Sequence, residues 1–514
     1  MPNDTRKRSQ AGLAGAAAAG LALGLAELMA GMFGRVPSAI SAVGGLVVDR
    51  TAGFVKDLAI SIFGIADKGA LAIGTVLIGV LAGYFIGRAA WSRIRIADVG
   101  FGVFAVGAIL ASIQEPLVNP VAAALAVLFS AAAGWLLVRT ALSLLHAPEV
   151  ETPTDGVPLD AGRRRFATAV AGAGAVGLVG GFAGRRLIIN RSERVREATG
   201  LPVPESAVNP PGSGQFFDIE GLEPIIVPND DFYRIDTALV VPRPNAESWK
   251  LTIKGLVDEE LELSFDDLLA MELHERYVTI SCVSNEVGGD LVGNAKWTGV
   301  RLVELLDRAG VHDDASQIVG RSVDGWTAGF PTEVAYDGRD PLLAVGMNGS
   351  PLPPAHGFPA RLIVPGLYGY VSATKWIEEI ELTRWDDFDG YWIPRGWSKL
   401  GPVKTQSRID TPRARQDIPG SPAILAGVAW ASLKGVERVE VRVDEGVWYD
   451  AELTSPLSDA AWVQWKAEIA LGGGDHFAEV RATDGNGDTQ TEQRARPAPD
   501  GATGWHKASF KVIA

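Results

Sequence analysis

Apolar and polar positions divide the chain into two unlike halves. Up to about Ala183, long runs of Ala, Gly, Leu and Val are interrupted by few charges, whereas beyond it charged residues, Pro and Trp are frequent and apolar runs shorten to strand length. A membrane-crossing helix needs about 20 mostly apolar residues. Residues 11–33, 69–86, 120–138 and 166–183 meet or approach this, and residues 99–118, uncharged up to Glu115, make a fifth span. Residues 47–64 mix apolar side chains with Asp49, Arg50, Lys56 and Asp57, the pattern of a helix lying in the interface. An all-α transmembrane bundle of about five spans is therefore predicted over residues 1–184.

Basic residues orient this bundle. Arg6, Lys7 and Arg8 precede the first span; Arg88, Arg93 and Arg95 follow the second; Arg139 and Arg163 to Arg165 lie between the fourth and fifth. The turn at Glu115 and Pro116 has no Lys or Arg. The predicted topology keeps the N-terminus inside and everything after Ala183 outside the membrane, although Arg185, Arg186, Arg191, Arg194 and Arg196 run against the rule. Arg163-Arg164-Arg165-Phe166 before a Gly- and Ala-rich stretch reads as an internal twin-arginine export signal. Glu27 is an acidic residue well inside a span, and such carboxylates are functional candidates or partner-helix contacts.

The second half begins with a Pro-rich linker, residues 185–228. Strand patterns at 249–257, 277–282, 362–364 and 377–383 then alternate with helical patterns at 265–271 and 302–309. This predicts an α+β domain over 229–407. After a Pro-punctuated break at 408–422, strand patterns at 423–431, 436–443, 462–469 and 476–482 recur at roughly ten-residue spacing. An immunoglobulin-like β-sandwich over 408–514 is expected.

The formal charge of −14 falls mainly on the second half and argues against a nucleic-acid partner. The single cysteine, Cys282, excludes an intrachain disulfide, a CxxC pair, a c-type haem attachment and a Cys-based iron–sulfur cluster. It ends the strand pattern Tyr277 to Cys282 and precedes a polar, Gly-containing loop, a place where a thiol can face a cleft.

Further motifs follow in order: Trp297-Thr298-Gly299-Val300-Arg301-Leu302, Met347-Asn348-Gly349-Ser350-Pro351-Leu352-Pro353, His356-Gly357-Phe358-Pro359-Ala360-Arg361, Val364-Pro365-Gly366 and Lys375-Trp376. Together with Cys282 they resemble the sulfite oxidase family of molybdopterin enzymes, from about Asn229 to the C-terminus. The resemblance implies a molybdenum–molybdopterin cofactor with Cys282 as the metal ligand, since high-valent molybdenum is satisfied by soft sulfur donors. It implies phosphate contacts from His356, Arg361 and Lys375, a further cofactor contact from Thr374, pterin contacts from Asn229, Phe232, Tyr233 and Asp324, and an active-site arginine at Arg234. It also implies a small-molecule substrate, an external electron partner such as a cytochrome or a quinone-linked protein, and a homodimer through the C-terminal domain.

Departures bear on the substrate. Sulfite-oxidising members carry arginine soon after the cysteine and tyrosine before the MNG motif, where this chain has Glu286, Val287 and Val345. Poor handling of a dianion is therefore expected, and a neutral sulfoxide or N-oxide suits the sequence better. The competing reading from a different class is a cofactor-free cell-surface binding protein with an immunoglobulin-like tail.

Overall fold

The computed structural model describes residues 2–34, 36–50, 67–114, 118–146, 161–198, 200–238, 240–419 and 422–513. Its contacts form two compact units, Met1–Arg194 with Ala238–Val241, and Val195–Thr237 with Pro242–Ala514.

In the first unit, five helices are long and apolar enough to cross a bilayer: Asp4–Met32, Gly69–Ala90, Arg95–Ser112, Pro120–His146 and Arg164–Asn190. They coincide with the five apolar runs. Small residues let their backbones touch: a Cβ on Gly15 would collide with the Gly83 carbonyl, and one on Gly24 with the Gly177 carbonyl. Glu27 is buried and accepts from Ser38 Oγ at 2.5 Å and from the Ile40 N–H at 3.4 Å. It thus braces the first turn of the helix Ala39–Arg50, whose own cap is Ser38. The carboxylate has a structural partner within the chain. Residues 51–66, which hold most of the expected interfacial segment, and the Glu115–Pro116 turn lie outside the described residues. The helix that begins beside the arginine run spans Ala161–Ala198, so the first part of the expected linker is helical, with Arg185 and Arg186 on it.

The second unit is β-rich. One five-stranded sheet has the order Leu261–Ser264, Lys250–Gly255, Ile377–Thr383, Gln317–Ser322, Thr327–Pro331. Another is built on His274–Ser281, Val292–Arg301, Leu342–Met347 and Ser350–Pro351, with Arg361–Ile363 also paired to Leu342–Met347. Both pack on a core that includes Leu251, Ile253, Trp297, Leu305, Ile318 and Ile380. Leu302–Ala309 closes it with a helix whose apolar face is Leu302, Leu305, Leu306 and Ala309, ended by Gly310 in the left-handed conformation.

Toward the C-terminus a four-stranded sheet (Gln406–Thr411, Ala423–Trp430, Val463–Ile469, Glu452–Leu453) faces a five-stranded one (Gln416–Pro419, His506–Ile513, Gly474–Asp484, Val436–Val443, Tyr449–Asp450). Alternate residues of both, among them Leu425, Trp465, Val441, Val480 and Phe510, share a second core. The expected break at 408–422 is therefore partly strand, because Gln406–Thr411 pairs antiparallel with Ala423–Trp430. The sandwich also completes the first core. Trp462 packs in it, donating from Nε1 to the Ile225 carbonyl at 2.9 Å and from its backbone N–H to the Thr279 hydroxyl at 2.8 Å.

Candidate active site

Where His274–Ser281 ends, the chain turns into a loop closed by Cys282 N–H to the Leu291 carbonyl at 2.9 Å and Asn285 N–H to the Cys282 carbonyl at 3.0 Å. The thiol is aimed into a cavity of about 130 Å³ lined by Phe232, Tyr233, Asp236, Ser284, Asp324, His356, Arg361, Tyr370, Lys375, Trp376, Trp392 and Trp397, among others. Burial pushes the thiol pKa up, opposed by hydrogen bonds from the Ser284 N–H and hydroxyl and by the charge of Lys375.

The cationic group of the lining comes from two short segments. Pro354–His356 is a single turn ended by Gly357 at φ +112, a conformation open to glycine and also tight, since a Cβ there would lie 3.0 Å from that of Arg361. His356 Nε2 meets the Asn229 carbonyl at 3.0 Å, and the imidazole is held down to about 4 by burial and by Arg361 and Lys375. Arg361 is 4 % exposed, stacks 5.1 Å above the Trp297 ring and donates to the His356 carbonyl at 3.1 Å. Burial lowers it to about 10, so it remains charged at neutral pH. No acid pairs with it among the described residues, and its Nε has no partner. Lys375, brought down to about 8 by burial, is bound to Asp236 at 2.7 Å. Next to it Trp376 sits at φ +50, unusual for a bulky residue, tied by its Nε1 to the Pro354 carbonyl at 2.7 Å.

The remaining expected residues fall differently. Asn229 does not line the cavity; it receives Asn348 Nδ2 at 2.8 Å and supplies the carbonyl that holds His356. Thr374 is fully buried behind the lining, its hydroxyl unpartnered. Asp324 does line the cavity, its carboxylate receiving the Trp326 N–H at 3.2 Å. Arg234, expected beside the metal, is bound by Asp236, two residues on, at 2.8 Å and is not itself in the lining, while its charge acts on His356 and Lys375. The expected preference against a dianion rests on Glu286, Val287 and Val345, which the structure places away from the cavity. Glu286 is exposed and Val345 is wholly buried in the core, and none of the three lines the cavity. Sequence reasoning missed Asp236, Tyr370, Trp392 and Trp397; the density of aromatics between Trp385 and Trp397 was the available signal.

A buried guanidinium without a counter-ion, beside an orphaned hydroxyl and a neutral histidine, is costly unless an anion arrives. The donor set fits the phosphate of a pterin, and Cys282 offers the soft ligand such a cofactor's metal needs.

Comparisons with known proteins agree. The family described as "Oxidoreductase molybdopterin binding domain" matches residues 238–392. An uncharacterized oxidoreductase of Bacillus subtilis, YuiH, is 36 % identical over 153 residues, 30 % of this chain and 74 % of that protein. Rat mitochondrial sulfite oxidase is 30 % identical over 290 residues, 48 % of this chain and 53 % of the relative. The sulfane dehydrogenase SoxCD of Paracoccus pantotrophus overlays at 23 % identity with a TM-score of 0.49, over 57 % of this chain and 85 % of that one. Fold, site and relatives define an oxidoreductase with a molybdenum–molybdopterin cofactor. The chain belongs to the sulfite oxidase family of these enzymes, and it spans about half the length of the rat relative it matches.

The neutral His356 makes the cofactor-free chain sensitive to acid. An unfolded histidine titrates at about 6.5, so the unfolded state binds more protons between that value and about 4. Stability is full above pH 6.5 and falls as the pH drops, by about 2 kcal/mol per such histidine between pH 7 and 5. His506, also held at about 4 by burial, adds in the same direction. Urea unfolding of cofactor-free His356→Gln should therefore show roughly half the acid slope of the native chain attributable to the pair.

Proposed function

We propose that this chain is a membrane-anchored enzyme that moves an oxygen atom to or from a neutral sulfoxide or N-oxide, working on the outer face of the membrane. The observation that carries the reading is the cavity itself: Cys282 shares it with His356, Arg361 and Lys375, and no other Lys, Arg or His among the described residues lines it. Those groups would hold the anionic end of the cofactor. Arg395 and Arg301 do not supply a substitute charge near the thiol, being occupied by the Tyr391 ring at 3.7 Å and by Asp340 at 2.6 Å. A dianion such as sulfite would find no cation of its own there.

When bound, the cofactor supplies two-electron oxygen-atom transfer chemistry at molybdenum. The chain's part is positional. Cys282 would ligate the metal, with the Ser284 N–H and hydroxyl donating to its sulfur and steadying the thiolate. Arg361, Lys375 and His356 would hold the phosphate, with Phe232, Tyr233 and Asp324 along the pterin and Thr374 packed behind them. Asn229 positions His356 through its carbonyl. Arg234 acts through Asp236 on Lys375. Electrons pass to or from an external carrier, because the single cysteine leaves the chain without an iron–sulfur cluster of its own.

The anchor is assigned to residues 1–184, the linker to 185–228, the catalytic domain to 229–407 and an immunoglobulin-like, dimer-forming domain to 408–514. The five apolar helices support the anchor and the two facing sheets support the last domain. Arg163 to Phe166 is read as the export signal. Replacing Arg163, Arg164 and Arg165 together by Lys should leave the catalytic domain inside; unchanged protease accessibility in intact cells would remove that assignment. For the substrate, steady-state assay of the holoenzyme against sulfite, sulfoxides and N-oxides should give turnover with the neutral compounds and little with sulfite.

A further inference from the structure

Part of the cavity lining has no role in holding the cofactor as assigned: Tyr370, Trp392 and Trp397. These rings belong to a small apolar cluster with Val371 and with Val283, the residue that follows Cys282. Tyr370 and Trp397 have centroids 5.9 Å apart at 50°, and Trp392 and Trp397 6.4 Å apart at 77°. Cations on the same loop are bound elsewhere. Lys399 pairs with Asp389 at 2.8 Å, Arg395 lies over the Tyr391 ring, and neither lines the cavity.

Tyr370 is also anchored. Tyr370 donates its hydroxyl to the Ser398 carbonyl at 2.5 Å, and the Ser398 N–H donates to the Pro499 carbonyl at 3.0 Å. Lys404 reaches the sandwich as well, at 3.1 Å from Asp500 and 2.8 Å from the Gly501 carbonyl. Gly401 lets the loop lie against Tyr370, since a Cβ there would be 2.9 Å from the ring. An uncharged, three-ring wall beside the thiol binds flat apolar groups through burial and ring–ring contact.

We propose that Tyr370, Trp392 and Trp397 form a recognition wall that selects neutral sulfoxides carrying an aryl group over small dialkyl ones. This rests on the oxygen-transfer reading above. In the reaction, the sulfur–oxygen bond breaks, sulfur is reduced to a thioether by two electrons from a one-electron carrier, and the oxygen leaves as water with two solvent protons. Reduced viologen serves as the carrier in the assay.

The test uses the detergent-solubilised full-length holoenzyme. For the native protein kcat/KM should favour methyl phenyl sulfoxide over dimethyl sulfoxide by about tenfold or more. In Trp392→Ala and Trp397→Ala that preference should fall about tenfold, mainly through KM, with Trp397→Phe restoring part of it. Equilibrium dialysis of methyl phenyl sulfide against the same proteins should show a matching loss of binding without any turnover. If an Ala variant loses its molybdenum, the Phe and Leu variants carry the comparison. An unchanged preference together with unchanged dialysis overturns the wall. Turnover of sulfite with none of sulfoxides defeats the proposed reaction alone; dialysis then decides the wall, weakened binding in the variants supporting it and equal binding overturning it.

Discussion

Cys282→Ser should lower turnover at least about a thousandfold, equivalent to about 4 kcal/mol of barrier, while the purified protein keeps its pterin. The reasoning is local. The thiol is the soft donor in the cavity, and a hydroxyl of similar size leaves the Ser281–Leu291 turn intact, because that turn is held by backbone hydrogen bonds at Cys282 and Asn285. The pterin stays because its binding rests on a different set, Arg361, Lys375 and His356. Pterin content by fluorescence after oxidation and turnover by reduced-viologen assay separate the two effects. Turnover near the native value would sink the ligand assignment.

Arg361→Met is expected to act in opposite directions on the two forms of the protein. With cofactor, loss of a charge-assisted phosphate contact of about 1.5 to 3 kcal/mol weakens retention by roughly ten- to a hundredfold. Without cofactor, the native chain keeps a guanidinium that is 4 % exposed, has an orphaned Nε and meets no acid among the described residues. An apolar chain of similar reach over the Trp297 ring relieves that cost, so the cofactor-free variant should be as stable as the native chain or more so. Urea unfolding of cofactor-free protein and dissociation on dilution of the loaded protein read these separately. A variant that is destabilised by several kcal/mol when empty would show that Arg361 is paid for by structure and not by an anion.

The parts of this site that the sequence discloses are those written in short contiguous words. Cys282 at a strand end, His356 to Arg361 and Lys375-Trp376 are each set by local turns, and the structure brings them to one cavity. Direction is another matter. Val345 and Glu286 have the right place in the order of motifs, but Val345 points into the core and Glu286 into solvent, and which way a side chain faces depends on the sheet it joins. Strands were lost for a related reason. Val292–Arg301 carries Asn294 and Lys296, and Gln406–Thr411 carries Gln406, Ser407 and Arg408, which break the apolar alternation. Their polar groups are buried against partners distant in sequence: Asn294 with Thr279 and the Ile225 carbonyl, Ser407 with Gln490, and Arg408 with Glu223. Only the folded chain shows that those groups are satisfied. The five long apolar helices of the first half were legible, because length and apolarity are what mark such a helix in a sequence.

The most direct test of the account is molybdenum X-ray absorption on the full-length holoprotein beside its Cys282→Ser variant, with metal content measured on both. The account predicts stoichiometric molybdenum in the native protein and a sulfur neighbour of the metal that is missing from the variant. Identical sulfur coordination in the two proteins would contradict it.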